Sequence, residues 1–355
     1  MDGVRIEEPG VEAFVKENKV KSEGIYTILP DDVWLKIFSF LPIDSIMSAR
    51  CVCKYWHEMT KSGKYVWINM PPQKPWYFML PNENDAGYIY DLFKNWCRIF
   101  LCNPISRDWK QLLKPLNDEP SQYSALALSV DRHSHDYIVT LVKSNPLPDE
   151  FFHWDFTIQI YDSKSCFWRV VSFNEVLVGW RGGNESVICN GILYFLIHSL
   201  SESNRHRIGL IMYDIDSKSS CKSLMETMVM APSLLTCCRL MNLKDRLILI
   251  GGIRDPEKPD VLEGICVWEL HRKEWKEVTR MPEKFLSHFG RFEDTFASSG
   301  VEDLIFIHAY GTPTLFIFDM RDKYWRLAKN YPIKKRSYLR TFVGFCFEPR
   351  LEIKP

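Results

Sequence analysis

Long apolar runs are missing from this chain. No stretch of 18 apolar residues occurs, so no membrane-spanning helix is expected. A charge excess is missing too. Lys+Arg and Asp+Glu number 45 each, and no net field draws the protein to nucleic acid or to an anionic membrane. The opening residues carry Asp2, Glu7 and Glu8 and lack the basic-then-apolar layout of a signal peptide. The 11 cysteines are odd in number, scattered, and without Cys-x-x-Cys pairs. Cys51-x-Cys53 and the adjacent Cys237 and Cys238 do not have structural zinc spacing. They read as buried thiols acting as small apolar residues in a reducing compartment, cytoplasm or nucleus. His133, His135 and His206 lie in polar stretches and read as turn or solvated histidines, as Lys334, Lys335 and Arg336 read as a solvated loop. No Ser/His/Asp or Cys/His arrangement stands out. The glycines of Gly179-Trp180-Arg181-Gly182-Gly183-Asn184 lack the spacing of a phosphate-binding loop, and turn geometry with positive φ is expected of them. No metal, no cofactor and no catalytic role are therefore expected.

What is present is an ordinary globular balance, 46% apolar and 25% charged, with aromatic residues at 14%. The chain's 355 residues suffice for one small domain and one large one, and 12 Trp and 22 Phe suit a β-rich fold. Residues 1–26 are charged and weakly patterned, and a mobile leader is expected there. Residues 27–63 change character. Leu29-Pro30-Asp31-Asp32 puts Pro at a helix start and two acids in the first turn. Val33, Trp34, Ile37, Phe38 and Leu41 then follow at helical spacing, and Pro42 stops that helix. Asp44 is expected to cap a second helix, with Ile46 and Met47 apolar. Val52, Trp56 and Met59 form a third helical stripe, with Gly63 as a stop. Three short helices bury little alone, so the unit is expected to need a partner surface.

From residue 65 the pattern turns to strands of four to seven residues, such as Tyr137–Val142, Phe156–Tyr161, Ile192–Ile197, Leu247–Ile250 and Leu304–His308. One phrase recurs: a polar residue, turn residues, then Trp six positions on. Asn103 leads to Trp109, Asp162 to Trp168, Glu269 to Trp275 and Asp319 to Trp325. Asp214 opens a degenerate copy with Ser220 in place of Trp. The copies step by 59, 52, 55 and 50 residues, about the length of a propeller blade. The polar residue is expected to close a hairpin and the Trp to fix one blade against its neighbour. Roughly 280 residues at about 50 per blade give five to six blades. The first blade is expected to be incomplete, because Trp96 and Trp109 stand only 13 residues apart.

Leu29-Pro30, Ile37, Leu41 and Val52-Cys53-Lys54-Tyr55-Trp56 together resemble the F-box. The remainder resembles plant F-box/kelch-repeat proteins, of the Hawaiian Skirt group. The phrases that carry this likeness are Lys74–Met79, Gly179–Asn190, Arg239–Leu243 and Gly344–Ile353. The apolar strand ending in Gly251-Gly252 fits the kelch glycine pair. The resemblance implies an α+β multidomain chain: a mobile leader, an F-box over 27–63 and an all-β kelch-type β-propeller over 65–355. It also implies the substrate-recognition subunit of an SCF (Skp–cullin–F-box) ubiquitin ligase, non-catalytic, acting in plant development. Its partners would be a Skp-type adaptor, through it cullin, and a target protein of unknown identity.

By the same resemblance Leu29, Pro30, Val33, Ile37, Leu41, Pro42, Ile46, Val52, Cys53 and Trp56 lie in the F-box. Some face the adaptor and others pack its core, and the Leu29-Pro30 turn is the favoured contact. Trp180, Arg181, Asn184 and Glu185 form a polar cluster for which two readings stay open: a loop that reads the target, or a network between blades. Two other roles remain: an adaptor-binding protein without ubiquitination output, and a propeller enzyme, which would need a convergent acid/base or metal set near the axis.

Overall fold

The structure is a computed structural model that describes residues 29–62, 76–81, 99–103, 105, 108–113, 121–131, 134–172, 176–201, 207–216, 223–254, 262–287, 289, 296–309, 314–328 and 342–347. The expectations for the leader, for Gly63, His133, His206, Trp96, Ser220 and the basic run Lys334–Arg336 lie outside these residues. The chain divides into two compact units, parted between Lys74 and Pro75.

The first unit holds three helices, α1 (Asp31–Ser39), α2 (Ile43–Arg50) and α3 (Lys54–Ser62). Pro30 caps α1 through its backbone, its carbonyl accepting the N–H groups of Val33 and Trp34, with Asp31 and Asp32 at the positive end of the helix dipole. The second helix begins differently from expectation. Its N-cap is Pro42, whose fixed φ presets the helical start, and Asp44 lies inside the helix. Val52 also departs from the expected stripe, because it sits in the turn before α3 and is 58% exposed. Phe38, Ile43, Ile46, Ala49 and Met59 form the buried centre. Trp56 closes it, with its ring 5.0 Å from Trp34 and edge-on to Phe38 at 5.5 Å. Two polar ties cross the unit: the Tyr55 hydroxyl donates to Asp31 Oδ1, and Arg50 Nη2 donates to the Thr60 carbonyl at 2.9 Å.

The second unit is almost entirely antiparallel sheet. It opens with β1 (Trp76–Pro81) and the hairpin β2 (Phe100–Asn103) and β3 (Asp108–Gln111). Four sheets follow in chain order. The first sheet holds β4 (Tyr123–Val130), β5 (Tyr137–Leu147), β6 (Glu150–Asp162) and β7 (Phe167–Ser172), with β8 (Leu177–Val178) added beside β6. The second holds β9 (Trp180–Cys189), β10 (Ile192–Ser199), β11 (Ile208–Asp214) and β12 (Val229–Met230). The third holds β13 (Leu235–Leu243), β14 (Arg246–Arg254), β15 (Leu262–His271) and β16 (Glu274–Arg280). The single-turn α4 (Glu283–Leu286) follows it. The fourth holds β17 (Phe296–Val301), β18 (Leu304–Ala309), β19 (Leu315–Asp319) and β20 (Tyr324–Leu327). The last strand, β21 (Phe342–Phe347), pairs with β1, from Trp76 opposite Phe347 to Pro81 opposite Phe342.

The first strands β4, β9, β13, β17 and β21 lie next to one another in that order. This is the blade arrangement of a β-propeller, with the fifth position taken by a ladder joining both ends of the unit. Several strands exceed the expected four to seven residues, and β6 reaches 13. Their alternation explains how the sheets stack. Along β10, Leu193, Phe195 and Ile197 face the first sheet, where Phe156 and Ile158 meet them, while Leu196 faces the third sheet with Leu249 and Trp268. Along β14, Ile248 and Ile250 turn instead to the fourth sheet and meet Ile307 and Phe316. Inner blades are buried on both faces, so their strands read as near-continuous apolar runs.

The recurring phrase is the hairpin between the third and fourth strands. Asp162 Oδ1 accepts the Lys164 N–H at 2.9 Å, and Asp319 Oδ1 accepts that of Arg321 at 2.9 Å. Asn103 does the same for Ile105, and Asp214 for Asp216. Cys166, Lys273 and Lys323, each four residues into its phrase, take left-handed φ values of 58°, 69° and 53°. Two of the Trp residues reach from the fourth strand back to the preceding blade: Trp168 Nε1 donates to the Leu113 carbonyl, and Trp325 Nε1 to Thr279 Oγ1 at 3.0 Å, whereas Trp275 Nε1 is buried without a hydrogen-bond partner among the described residues. Trp168 and Trp325 are buried, whereas Trp109 is 70% exposed. Trp168→Ala and Trp325→Ala are each expected to lower unfolding free energy by about 3–5 kcal/mol, with Trp109→Ala within about 0.5 kcal/mol of the parent. Urea melts followed by Trp fluorescence measure this.

Candidate functional site

In the helical unit the structure sorts the ten expected residues. Pro30, Ile37, Pro42 and Val52 are exposed; Leu29, Val33, Leu41, Cys53 and Trp56 are half-buried. Ile46 is fully enclosed and packs the unit's own centre, so it is no surface contact. Phe40, 71% exposed at the end of α1, was missed, as was the partly exposed Tyr55. The sequence did carry a signal for Phe40, which stands three residues beyond Ile37 and shares its side of the helix. Ile37, Phe40 and Val52 leave apolar surface exposed on the described helices.

In the β unit the cluster Trp180, Arg181, Asn184 and Glu185 is not a loop. Only Gly179, at φ 78°, makes the expected turn; the rest is β9, the first strand of the second sheet. Gly182 and Gly183 are there for close approach. A Cβ on Gly182 would lie 2.7 Å from Ser144 Cβ, and one on Gly183 would lie 2.9 Å from the Leu196 carbonyl. The register of β9 against β10 shifts between Phe195 and Ile197, and the cluster's side chains end in different places. Trp180 packs against the core between the first two sheets. The Arg181 guanidinium lies 4.2 Å from the Tyr123 ring centroid, opposite His198 across the ladder. Burial first, and the Arg181 charge second, push the His198 imidazole down to about 4. Glu185 reaches the third sheet, where its Oε1 accepts from Arg239 Nη1 at 2.5 Å. Arg181 and Glu185 are therefore parts of networks between blades, and Asn184 is the exposed member.

Glu185 and Asn184 line a cavity of about 1240 Å³ bounded by β4, β9, β13 and β17. Its wall also includes Leu126 and Leu128, each about half exposed. Turns at one end of the sheets form its rim, among them those holding Asp131, Asp162, Asp216, Asp245 and Glu302. Burial pushes the Glu185 carboxyl up to about 6, against the opposing pull of Arg239. Among the described residues no group of three or more His, Cys, Asp or Glu is placed to hold a metal ion, and no helix is long and apolar enough to cross a membrane. The cysteines differ from expectation in part: Cys189 and Cys266 are buried, their thiols pushed up to about 11, but Cys51, Cys102 and Cys166 are exposed.

Residues 27–70 match the family model described as F-box-like, and residues 89–251 match that of the F-box associated beta propeller domain. An F-box/kelch-repeat protein of Arabidopsis thaliana is 41% identical over 383 residues, covering 96% of this chain and 93% of its own. The chain belongs to the F-box/kelch-repeat proteins. F-box only protein 6 of Arabidopsis thaliana is 22% identical over 304 residues, covering 73% of this chain and 59% of its own. The 383 matched positions exceed the 355 residues of this F-box/kelch-repeat protein, so its relative holds residues without a counterpart here. Among solved structures, apo AztD from Citrobacter koseri reaches a TM-score of only 0.36 at 9% identity, covering 72% of this chain and 61% of that one.

The raised Glu185 carboxyl makes a signed prediction. A carboxyl whose folded value lies above 4.5 stabilises the fold fully below pH 4.5, and that contribution is lost as pH rises through about 6. Glu185→Gln cannot titrate. The stability of the parent relative to this variant is expected to fall by about 2 kcal/mol between pH 4 and pH 7, read from urea midpoints across that range.

Proposed function

We propose that this chain is the substrate-recognition subunit of an SCF-type ubiquitin ligase. The observation that carries the reading is an F-box unit with Ile37, Phe40 and Val52 exposed, joined in one chain to a propeller. A Skp-type adaptor covers the apolar helical surface and connects it to cullin. The propeller holds the target protein, and other subunits perform ubiquitin transfer. The receptor contributes proximity and orientation, raising the effective concentration of a target lysine. No step needs a metal, a nucleophile or a cofactor from this chain. Kinship with Arabidopsis proteins supports a plant setting, with growth or development as the process and the cytoplasm and nucleus as the location. The phrases Lys74–Met79 and Gly344–Ile353 support the Hawaiian Skirt group within the family.

A second reading has one observation in its favour. The relative's extra residues leave open a protein that binds adaptor without delivering a target, and so competes for adaptor. Reconstitution with adaptor, cullin and captured target separates the two. Ubiquitinated target is expected from the receptor, and its absence with adaptor binding intact supports the competitor.

The adaptor face is tested by variants sorted by exposure. Ile37→Glu with Val52→Glu, and separately Leu29→Ala with Pro30→Ala, are expected to abolish adaptor capture while leaving the melting curve in place. Ile46→Ala is expected to destabilise the helical unit by about 2–5 kcal/mol and to weaken capture only through unfolding. Undiminished capture by both double variants would sink this contact surface.

A further inference from the structure

The chain's charges balance overall, yet its central cavity does not. Seven carboxylates and three basic side chains line it. Each base already faces an acid: Lys164 lies 3.3 Å from Asp136, Lys244 lies 3.4 Å from Glu302, and Arg239 pairs with Glu185. Asp216 and Asp245, both exposed on the rim, meet no basic side chain among the described residues. The excess is thus negative and concentrated at the mouth, where it raises the local concentration of cations.

Acidity alone does not define a ligand, but the wall adds an apolar face. Leu126 and Leu128 on β4 are 51% and 50% exposed within the same cavity. The volume of about 1240 Å³ exceeds the ~300–1,000 Å³ typical of sites for drug-sized molecules. An occupant must bring positive charge and apolar side chains together, over more than a small molecule's length.

We propose that this cavity takes an extended segment of a partner protein in which Lys or Arg residues alternate with apolar ones. The basic residues meet Asp216 and Asp245 at the mouth, and the apolar ones cover Leu126 and Leu128. The identity of the occupant as part of a ubiquitination target rests on the receptor reading above.

The test uses the full chain purified with its adaptor and a fluorescently labelled peptide of alternating Lys and Leu, read by anisotropy. Binding is expected, with none by the same peptide carrying Glu for Lys. Asp216→Asn with Asp245→Asn, and Leu126→Ser with Leu128→Ser, are each expected to weaken binding about tenfold. Asp149→Asn with Glu150→Gln, on a turn outside the cavity, is expected to change it less than about twofold. Failure of the Lys–Leu peptide to bind, equal binding of the Glu–Leu peptide, unchanged binding by both cavity variants, or an equal loss in the Asp149/Glu150 control would each overturn the proposal. So would full competition by spermine, since the cavity would then read charge alone. Adaptor retention in the same samples reports on the receptor function separately, so loss of one is not mistaken for loss of the other.

Discussion

Everything in the β unit depends on apolar side chains pressed between successive sheets. Phe156, Phe195 and Ile197 fill one such layer, Leu196, Leu249 and Trp268 the next, and Ile250, Ile307 and Phe316 a third. No sheet has a core of its own. Each strand such as β10 must supply residues to both faces, and each sheet is stable only because its neighbours cover it. The Trp tethers follow from this constraint. A sheet sandwiched on both faces can still slide, and an indole that buries its ring in its own blade while donating to the blade before it fixes the offset.

That layering explains what could be read from the sequence. The spacing from Asp162 to Trp168 and from Asp319 to Trp325 is a local signal, set by one hairpin turn with one left-handed residue, and it survives in the absence of turn glycines. The stop at Pro42 and the acids after Pro30 were equally local. Other features were not. Pairing of β1 with β21 joins residues 76–81 to 342–347, and nothing in either segment names its distant partner. Gly182 and Gly183 looked like turn glycines because Gly has two uses, and only the proximity of Ser144 and Leu196 shows that close approach is the one in force. Arg181 and Glu185 stand four apart and looked like one cluster. The register of β9 against β10 shifts between them, and one reaches the first sheet while the other reaches the third.

The Glu185–Arg239 pair is the place where the structure keeps an expensive arrangement. Burial raises the carboxyl to about 6 even beside an arginine, so the attraction does not make up for lost solvation near neutral pH. A hydrophobic pair would hold the second and third sheets together at least as well. The ion pair also lines the cavity, beside Ser186 and the exposed Asn184. The pair thus bridges two sheets and lines the cavity at once.

The helical unit obeys the opposite economy of burial. Its three helices enclose Phe38, Ile43, Ile46, Ala49 and Met59 but leave Ile37, Phe40 and Val52 in solvent. A unit this small cannot cover all its apolar residues, because its surface is large relative to its volume. Polar residues at those three positions would remove the exposure without disturbing the enclosed centre. Retaining Ile, Phe and Val there makes sense only if another surface completes the packing, as neighbouring sheets do for β10 and β14. The two units thus differ: the β unit supplies its covering layers from its own chain, and the described helices leave an apolar face uncovered.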